Sequence, residues 1–306
     1  MFDQKKWKEI AQRYWRFGYY NRIKIFDYDA ERRIRRSFWE KTKMVLNPES
    51  AIVLPFTDID ITTFCNLRCR RCAKCLPYFK HKKHFSADEI KENLDLLTKY
   101  VDRIYVANIL GGEPLLNPDL PRIIEICAGS GKINYLELTT NATIIPDDEV
   151  LRAIKEGGVT VHLSNYLCLE DRYQKNKEEL IRKLEQFDIP HEFQFHDKWL
   201  DLGEIEKRSY SEERLARIFK DCPMNSCSVF NGKKLYRCGR ASFLSQHGME
   251  ADGDDVIDLE KIHSRREMKK AIRKFFSVKY LPACQYCSEY PGEIPAGEQL
   301  GAEEKQ

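Results

Sequence analysis

Residues 54–72 read LPFTDIDITTFCNLRCRRC, an alternation of apolar and polar residues that runs directly into three cysteines. The first eleven residues (54–64) predict a strand, because the β-branched and aromatic side chains recur with a period of two. Downstream, SADEIKENLDLLTKYV (86–101) predicts a helix opened by a Ser cap, and RIYVANIL (103–110) predicts a second strand. A helix after Pro118, the strand INYLELTT (133–140), a helix from Asp147, the strand VTVHLSNY (159–166), a helix near 173–187 and the strand HEFQFH (191–196) continue the alternation. Strands separated by helices of this length pair in parallel, so the class is α/β, with a sheet either open or closed into a barrel. The pattern changes after about residue 220. CSVFNGKKLYRC (227–238) predicts a hairpin around Asn231-Gly232, and DLEKIHSRREMKKAIRKFF (258–276) an amphipathic helix.

The 306 residues contain 42% hydrophobic and 32% charged residues, a globular composition with enough apolar material for a sizeable core. The sequence lacks the roughly 18 uninterrupted apolar residues of a membrane span, and the opening MFDQKKWKEI lacks the apolar stretch of a signal peptide, so a cytoplasmic location is expected. Eleven cysteines in that compartment are expected to be reduced thiols and metal ligands, not disulfides. Residues 1–50 hold 13 Lys and Arg against 7 Asp and Glu and three of the four tryptophans, Trp7, Trp15 and Trp39. This segment is read as helices that pack their aromatic residues on the main domain. Contact with a membrane surface is the less favoured reading, and nucleic acid is not expected as a partner. The last residues, 291–306, are acidic and poor in large apolar side chains, which predicts a mobile tail.

Cys65, Cys69 and Cys72 form a C-x3-C-x2-C run on the loop after the first strand. Three thiolates can hold three irons of a four-iron cube and leave the fourth open to a chelating small molecule; a zinc site completed by Cys75 satisfies the same spacing. About 40 residues past Cys72, the second strand ends in Gly111-Gly112-Glu113-Pro114. A glycine pair there exposes backbone at the edge where such sheets bind ligands, and a carboxylate can hold an ammonium group.

These paired motifs resemble the radical S-adenosylmethionine (SAM) superfamily, over roughly residues 54–200. The resemblance implies a partial (β/α)6 TIM-like barrel over 51–210, with a [4Fe-4S] cluster on Cys65, Cys69 and Cys72. It implies SAM held against Gly111, Gly112 and Glu113, with Thr139, Asn141 and Ser164 as further cofactor contacts. It also implies reductive cleavage of SAM to a 5′-deoxyadenosyl radical, with a flavodoxin- or ferredoxin-type electron donor. Members usually carry an aromatic residue just before the last cysteine; this chain has Arg71, whose guanidinium plane could stack instead.

A second group, Cys222, Cys227, Cys238, Cys284 and Cys287, suits structural zinc or another cluster by spacing. Beside a radical SAM core it resembles the twitch extension, the short relative of the SPASM domain. The resemblance implies a small α+β domain over 211–290 with an auxiliary [4Fe-4S] cluster on Cys222, Cys238, Cys284 and Cys287. Cys227 is then spare and is a possible hydrogen-atom donor in an epimerase. Cys127 reads as core, and Cys75 and Cys168 as without chemistry. Strand parity sets Asp58, Asp60, Glu137, Thr139, His162, Ser164 and Glu192 on one face, which predicts a polar interior and a polar substrate, a sugar-like small molecule or a peptide. The loop 68–84 carries seven Lys or Arg and no acid, a charge that could attract an acidic reductase. The favoured activity is therefore an oxidoreductase of the dehydrogenase type, with an epimerase, a peptide maturase and a non-catalytic metal-binding module as rivals.

Overall fold

The computed structural model describes residues 51–301, except 167, 197, 223, 226 and 250–254. The basic aromatic segment 1–50 lies outside the described residues. The element order is β1 (Val53–Asp60), α1 (Ala87–Thr98), β2 (Arg103–Leu110), α2 (Leu120–Gly129), β3 (Ile133–Thr140), α3 (Asp148–Glu156), β4 (Thr160–Tyr166), α4 (Asp171–Gln186) and β5 (His191–His196). There follow β6 (Lys198–Asp201), α5 (Glu212–Asp221), β7 (Ser228–Asn231), β8 (Lys234–Tyr236), α6 (Gly239–Gln246), β9 (Val256–Asp258), α7 (Arg265–Ser277) and β10 (Gly292–Pro295). The chain thus has an α/β fold with a mostly parallel sheet. Its strand order is β5-β4-β3-β2-β1-β7-β8-β9, and β6 and β10 form a separate antiparallel pair.

Helix starts follow local chemistry. Ser86 accepts from the Glu89 amide, Asp147 from Val150 and Ser264 from Glu267, each satisfying a first-turn donor that has no partner within the helix. The last of these caps sets α7 seven residues later than the apolar periodicity predicts, because 256–261 is used first as β9 and a 3-10 turn. The hairpin around Asn231-Gly232 forms as expected, with Gly232 at φ 60, but its first strand pairs in parallel with β1. The C-terminal strands therefore continue the main sheet.

Register determines the two faces. Ile59, Ile109, Leu138 and Val161 lie in one row across β1 to β4, and Asp58, Asn108, Glu137 and Thr160 lie in the next. The apolar row is covered by Ile90 and Leu94 of α1, Ile123 and Cys127 of α2, Ile154 of α3, Leu184 of α4 and Ile272 of α7, forming one continuous core. Each such fully buried aliphatic side chain stabilises by about 1.5–3 kcal/mol relative to exposure. The polar row faces the other way. The alternation read from sequence thus appears as a dry side under the helices and a hydrogen-bonding side opposite.

Residues 292–301 depart from the expected mobile tail. Gly292–Pro295 pairs with β6, and the chain then returns to the cysteine loop, where Gln299 bridges Cys69. Paired backbone, not side-chain bulk, holds this segment, which is why its composition did not reveal it. Among the described residues no helix is long and apolar enough to cross a membrane.

Candidate functional site

The cysteine loop and the GGEP turn meet at the C-terminal ends of β1 and β2. The Gly112 amide donates to the Thr62 carbonyl and the Glu113 amide to the Phe64 carbonyl, both at 2.8 Å. A Cβ on Gly111 would lie 2.3 Å from the Thr62 oxygen, and one on Gly112 1.8 Å from the Phe64 oxygen. Gly111 also has φ 134. The glycines are thus required because two backbones touch there, a stronger reason than the exposed backbone expected from sequence. The turn and the residues leading into Cys65 form one rigid unit.

Glu113 is fully buried and accepts from the Thr140 hydroxyl at 2.8 Å, the Asn141 amide at 2.8 Å and the Leu115 amide at 3.1 Å. Burial pushes its carboxyl up to about 7, against the pull of those three donors. In the unfolded chain the group ionises near 4.5, so the folded state keeps a proton that the unfolded state loses between pH 4.5 and 7. Its contribution to stability is therefore fully present below pH 4.5 and is lost as pH rises through 7, about 3 kcal/mol in all. Urea titrations of the metal-free protein should show that loss between pH 4.5 and 7, and Glu113→Gln should remove this component; an identical pH profile in both proteins would refute it.

Asn141 links this carboxylate to the cysteines. Its Nδ2 donates to Asn66 Oδ1 at 2.9 Å and lies 3.8 Å from Cys65 Sγ. Asn66 in turn donates to Thr143 at 2.7 Å. The thiols of Cys65 and Cys72 are raised by burial, Cys65 to about 12. At Cys72 the backbone N–H groups of Leu76, Lys74 and Cys75 converge on the sulfur and oppose that rise, a nest suited to a thiolate. Gln299 Nε2 donates to Cys69 Sγ at 3.3 Å. Buried sulfurs met by several donors are chemically suited to an iron–sulfur cluster, whose thiolates need such compensation.

The loop's charge is largely used internally. Lys74 lies between Asp58 and Asp60, 2.9 Å from each, while Arg71 pairs with Asp201 and Glu204, Arg70 with Glu298 and Lys83 with Glu89. Arg71 is therefore engaged by carboxylates, and the basic stretch is less of an electrostatic lure than its sequence implies. Above it, Asn108 donates to Asp58 at 3.1 Å, Thr139 to Asn108 at 3.0 Å and Asn231 to Asp60 at 3.3 Å. His162 lies 3.2 Å from Glu137 and 3.7 Å from Glu192. Ser164 is buried on the same face of β4.

The second thiol group also assembles. Cys222 follows α5, Cys238 caps α6, and Cys284 and Cys287 occupy the turn after α7. The Cys222 sulfur accepts from the Met224 amide at 3.4 Å, and that of Cys238 from the Ala241 amide at 3.3 Å. Cys284 is close enough to Cys287, Cys238 and Cys222 for all three to raise it further, after burial. Two buried guanidiniums flank the group. Arg237 donates to the carbonyls of Cys227 and Asn225 at 2.7 and 2.6 Å, and Arg240 to that of Gly203 at 3.3 Å and that of Tyr286. Cys75 is raised by burial to about 12, and Cys72, Cys287 and Cys238 are each near enough to add to that rise. Cys127 is in the core on the buried face of α2. Sequence reasoning missed Gln299, Lys74, Asn66 and the two arginines; only Lys74 left a signal, as a cation near two acids of the polar face.

Residues 59–165 match the family model described as Radical SAM superfamily, spanning both the cysteine loop and the GGEP turn. This part of the chain is a radical SAM domain. Such a domain carries a [4Fe-4S] cluster and binds SAM. GTP 3′,8-cyclase of Listeria welshimeri is 38% identical over 122 residues, 38% of this chain and 34% of that protein. The 7,8-dihydro-6-hydroxymethylpterin dimethyltransferase of Methanocaldococcus jannaschii is 29% identical over 118 residues, 38% of this chain and 23% of that one. The chain spans about a third of the length of the curated cyclases it matches. Among solved structures, BtrN in complex with AdoMet and 2-DOIA covers 79% of this chain and 99% of its own, with 11% identity and a TM-score of 0.44. Streptococcus suis SuiB bound to S-adenosylmethionine covers 52% of this chain and 35% of its own, with 17% identity and a TM-score of 0.37.

Proposed function

We propose that the chain is a SAM-cleaving radical oxidoreductase acting on a polar substrate. The observation that carries this reading is the backbone contact between the cysteine loop and the GGEP turn, tied to Cys65 through Glu113 and Asn141. Cys65, Cys69 and Cys72 hold the cluster, and the Gly111–Glu113 backbone, Asn141, Thr139 and Ser164 line the place for SAM, within a sheet curled as a partial barrel. What the group supplies when bound is one electron to SAM, giving methionine and a 5′-deoxyadenosyl radical. Such chemistry would oxidise a substrate C–H bond held on the interior face by removing a hydrogen atom and then one electron and one proton.

Cys222, Cys238, Cys284 and Cys287 are proposed to hold the auxiliary cluster that takes that electron. The buried guanidiniums of Arg237 and Arg240 bring positive charge beside these thiols, which an anionic cluster would offset. Asn108, His162 and Glu192 offer the substrate donors and acceptors on the interior face. A flavodoxin- or ferredoxin-type protein supplies the electrons.

The test is anaerobic reconstitution followed by dithionite and SAM, with 5′-deoxyadenosine measured alone and with GTP, amino sugars and short peptides in turn. Deoxyadenosine without reductant-independent background supports the reading, and its rise with one substrate class identifies that class. A reconstituted protein that binds iron yet forms no deoxyadenosine would refute it.

A further inference from the structure

We propose that residues 296–301 form a strap over the cysteine loop, and that Gln299 tunes the reduction potential of the cluster through its hydrogen bond to Cys69. The proposal rests on the reading of Cys65, Cys69 and Cys72 as cluster ligands. The strap is anchored at both ends. On one side β10 pairs with β6, and the Cys168 thiol donates to the Ala296 carbonyl at 3.0 Å. Gly297, at φ 78, turns the chain where a Cβ would lie 2.6 Å from the Tyr166 ring. Tyr166 is itself packed edge-on against Trp199 of β6. On the other side the Arg70 amide donates to Glu298 at 2.7 Å, and the Leu300 amide to Arg68 at 2.8 Å, a short antiparallel ladder across Cys69.

Gln299 sits at the centre of that ladder. Its Oε1 accepts from the Arg68 amide at 2.7 Å, and its Nε2 donates to the Gly297 carbonyl at 2.5 Å and to Cys69 Sγ at 3.3 Å. A flipped amide would set oxygen against oxygen at Gly297 and nitrogen against the Arg68 N–H, so the partners themselves determine which end faces the sulfur. Cys69 is only 7% exposed beneath this cover, although it lies on a surface loop. A donor aimed at a ligand sulfur favours the electron-rich state of a cluster, and exposure and sulfur hydrogen bonds are the protein's main means of setting its potential. Gln299 is thus a positioning residue, acting through Cys69 and not on the substrate.

The test uses the full reconstituted chain, wild type, Gln299→Leu and Gln299→Glu, in a redox titration followed by electron paramagnetic resonance. The signal that changes on adding SAM reports the cluster with the open iron. Gln299→Leu should lower the ratio of reduced to oxidised cluster about tenfold at a fixed poise, a shift of about 59 mV for one electron. Gln299→Glu, which keeps an acceptor for Arg68 but adds negative charge, should shift it further in the same direction, with iron content unchanged in both. Unaltered midpoints in two variants that retain iron and the SAM-responsive signal would overturn the proposal alone. Absence of that signal in the wild type would overturn it together with the ligand assignment.

Discussion

Replacing Cys65, Cys69 and Cys72 together by Ala should leave about half of the roughly eight irons expected from two four-iron clusters, and no cleavage of SAM. The effect is large because all three thiols sit on the one loop after β1. Replacing Cys222, Cys238, Cys284 and Cys287 should remove the other half while sparing reductive cleavage of SAM in the absence of substrate. The two halves separate because the thiols belong to different elements, the loop after β1 in one case and the ends of α5, β8 and α7 in the other. Metal analysis after anaerobic reconstitution decides. Stoichiometric zinc without visible absorbance in the wild type, or equal iron loss in both variants, would refute the assignment of two separate sites.

The strands β1 to β5, the β7–β8 hairpin and the order of the helices between them were legible because each depends on local pattern. Period-two alternation marks a face wherever one side is dry, as at Ile59 and Asp58. A glycine pair at a strand end marks a close approach even when the partner is unknown. What escaped was long-range and carried by few atoms. Gln299 meets Cys69 across 230 positions through one amide, and β7 joins β1 across 171 through backbone pairs that any residues could make. The tail's composition suggests disorder because it lacks apolar bulk, yet a short segment needs little bulk when β6 and the cysteine loop offer it hydrogen bonds. The partners of Arg71 and of the basic loop escaped for the related reason that charge in sequence carries no record of its partner.

Lys74→Met should destabilise the protein by about 3–5 kcal/mol and loosen the cysteine loop, because it strands two carboxylates in the interior. Burial works against the charge of Lys74, but Asp58 and Asp60 outweigh it and hold the ammonium above its ordinary range. Asp58 is raised by burial even with Lys74 beside it, so removing the lysine leaves a carboxyl that the folded state can keep only by protonation. The deficit should therefore grow as pH rises above the ordinary Asp value of 3.8, and be larger at pH 8 than at pH 5. Asn108 and Asn231 still donate to the two carboxylates but bring no charge. Adding Asp58→Asn and Asp60→Asn to Lys74→Met should restore most of the stability, since the interior is then neutral and polar. It should not restore the tether that the charged pair gives to the segment between Cys72 and Cys75, so iron retention under chelator challenge should stay below wild type. Urea midpoints at the two pH values, with iron counted after challenge, separate the charge from the tether; a Lys74→Met protein as stable as wild type at pH 8 would show that the triad contributes neither.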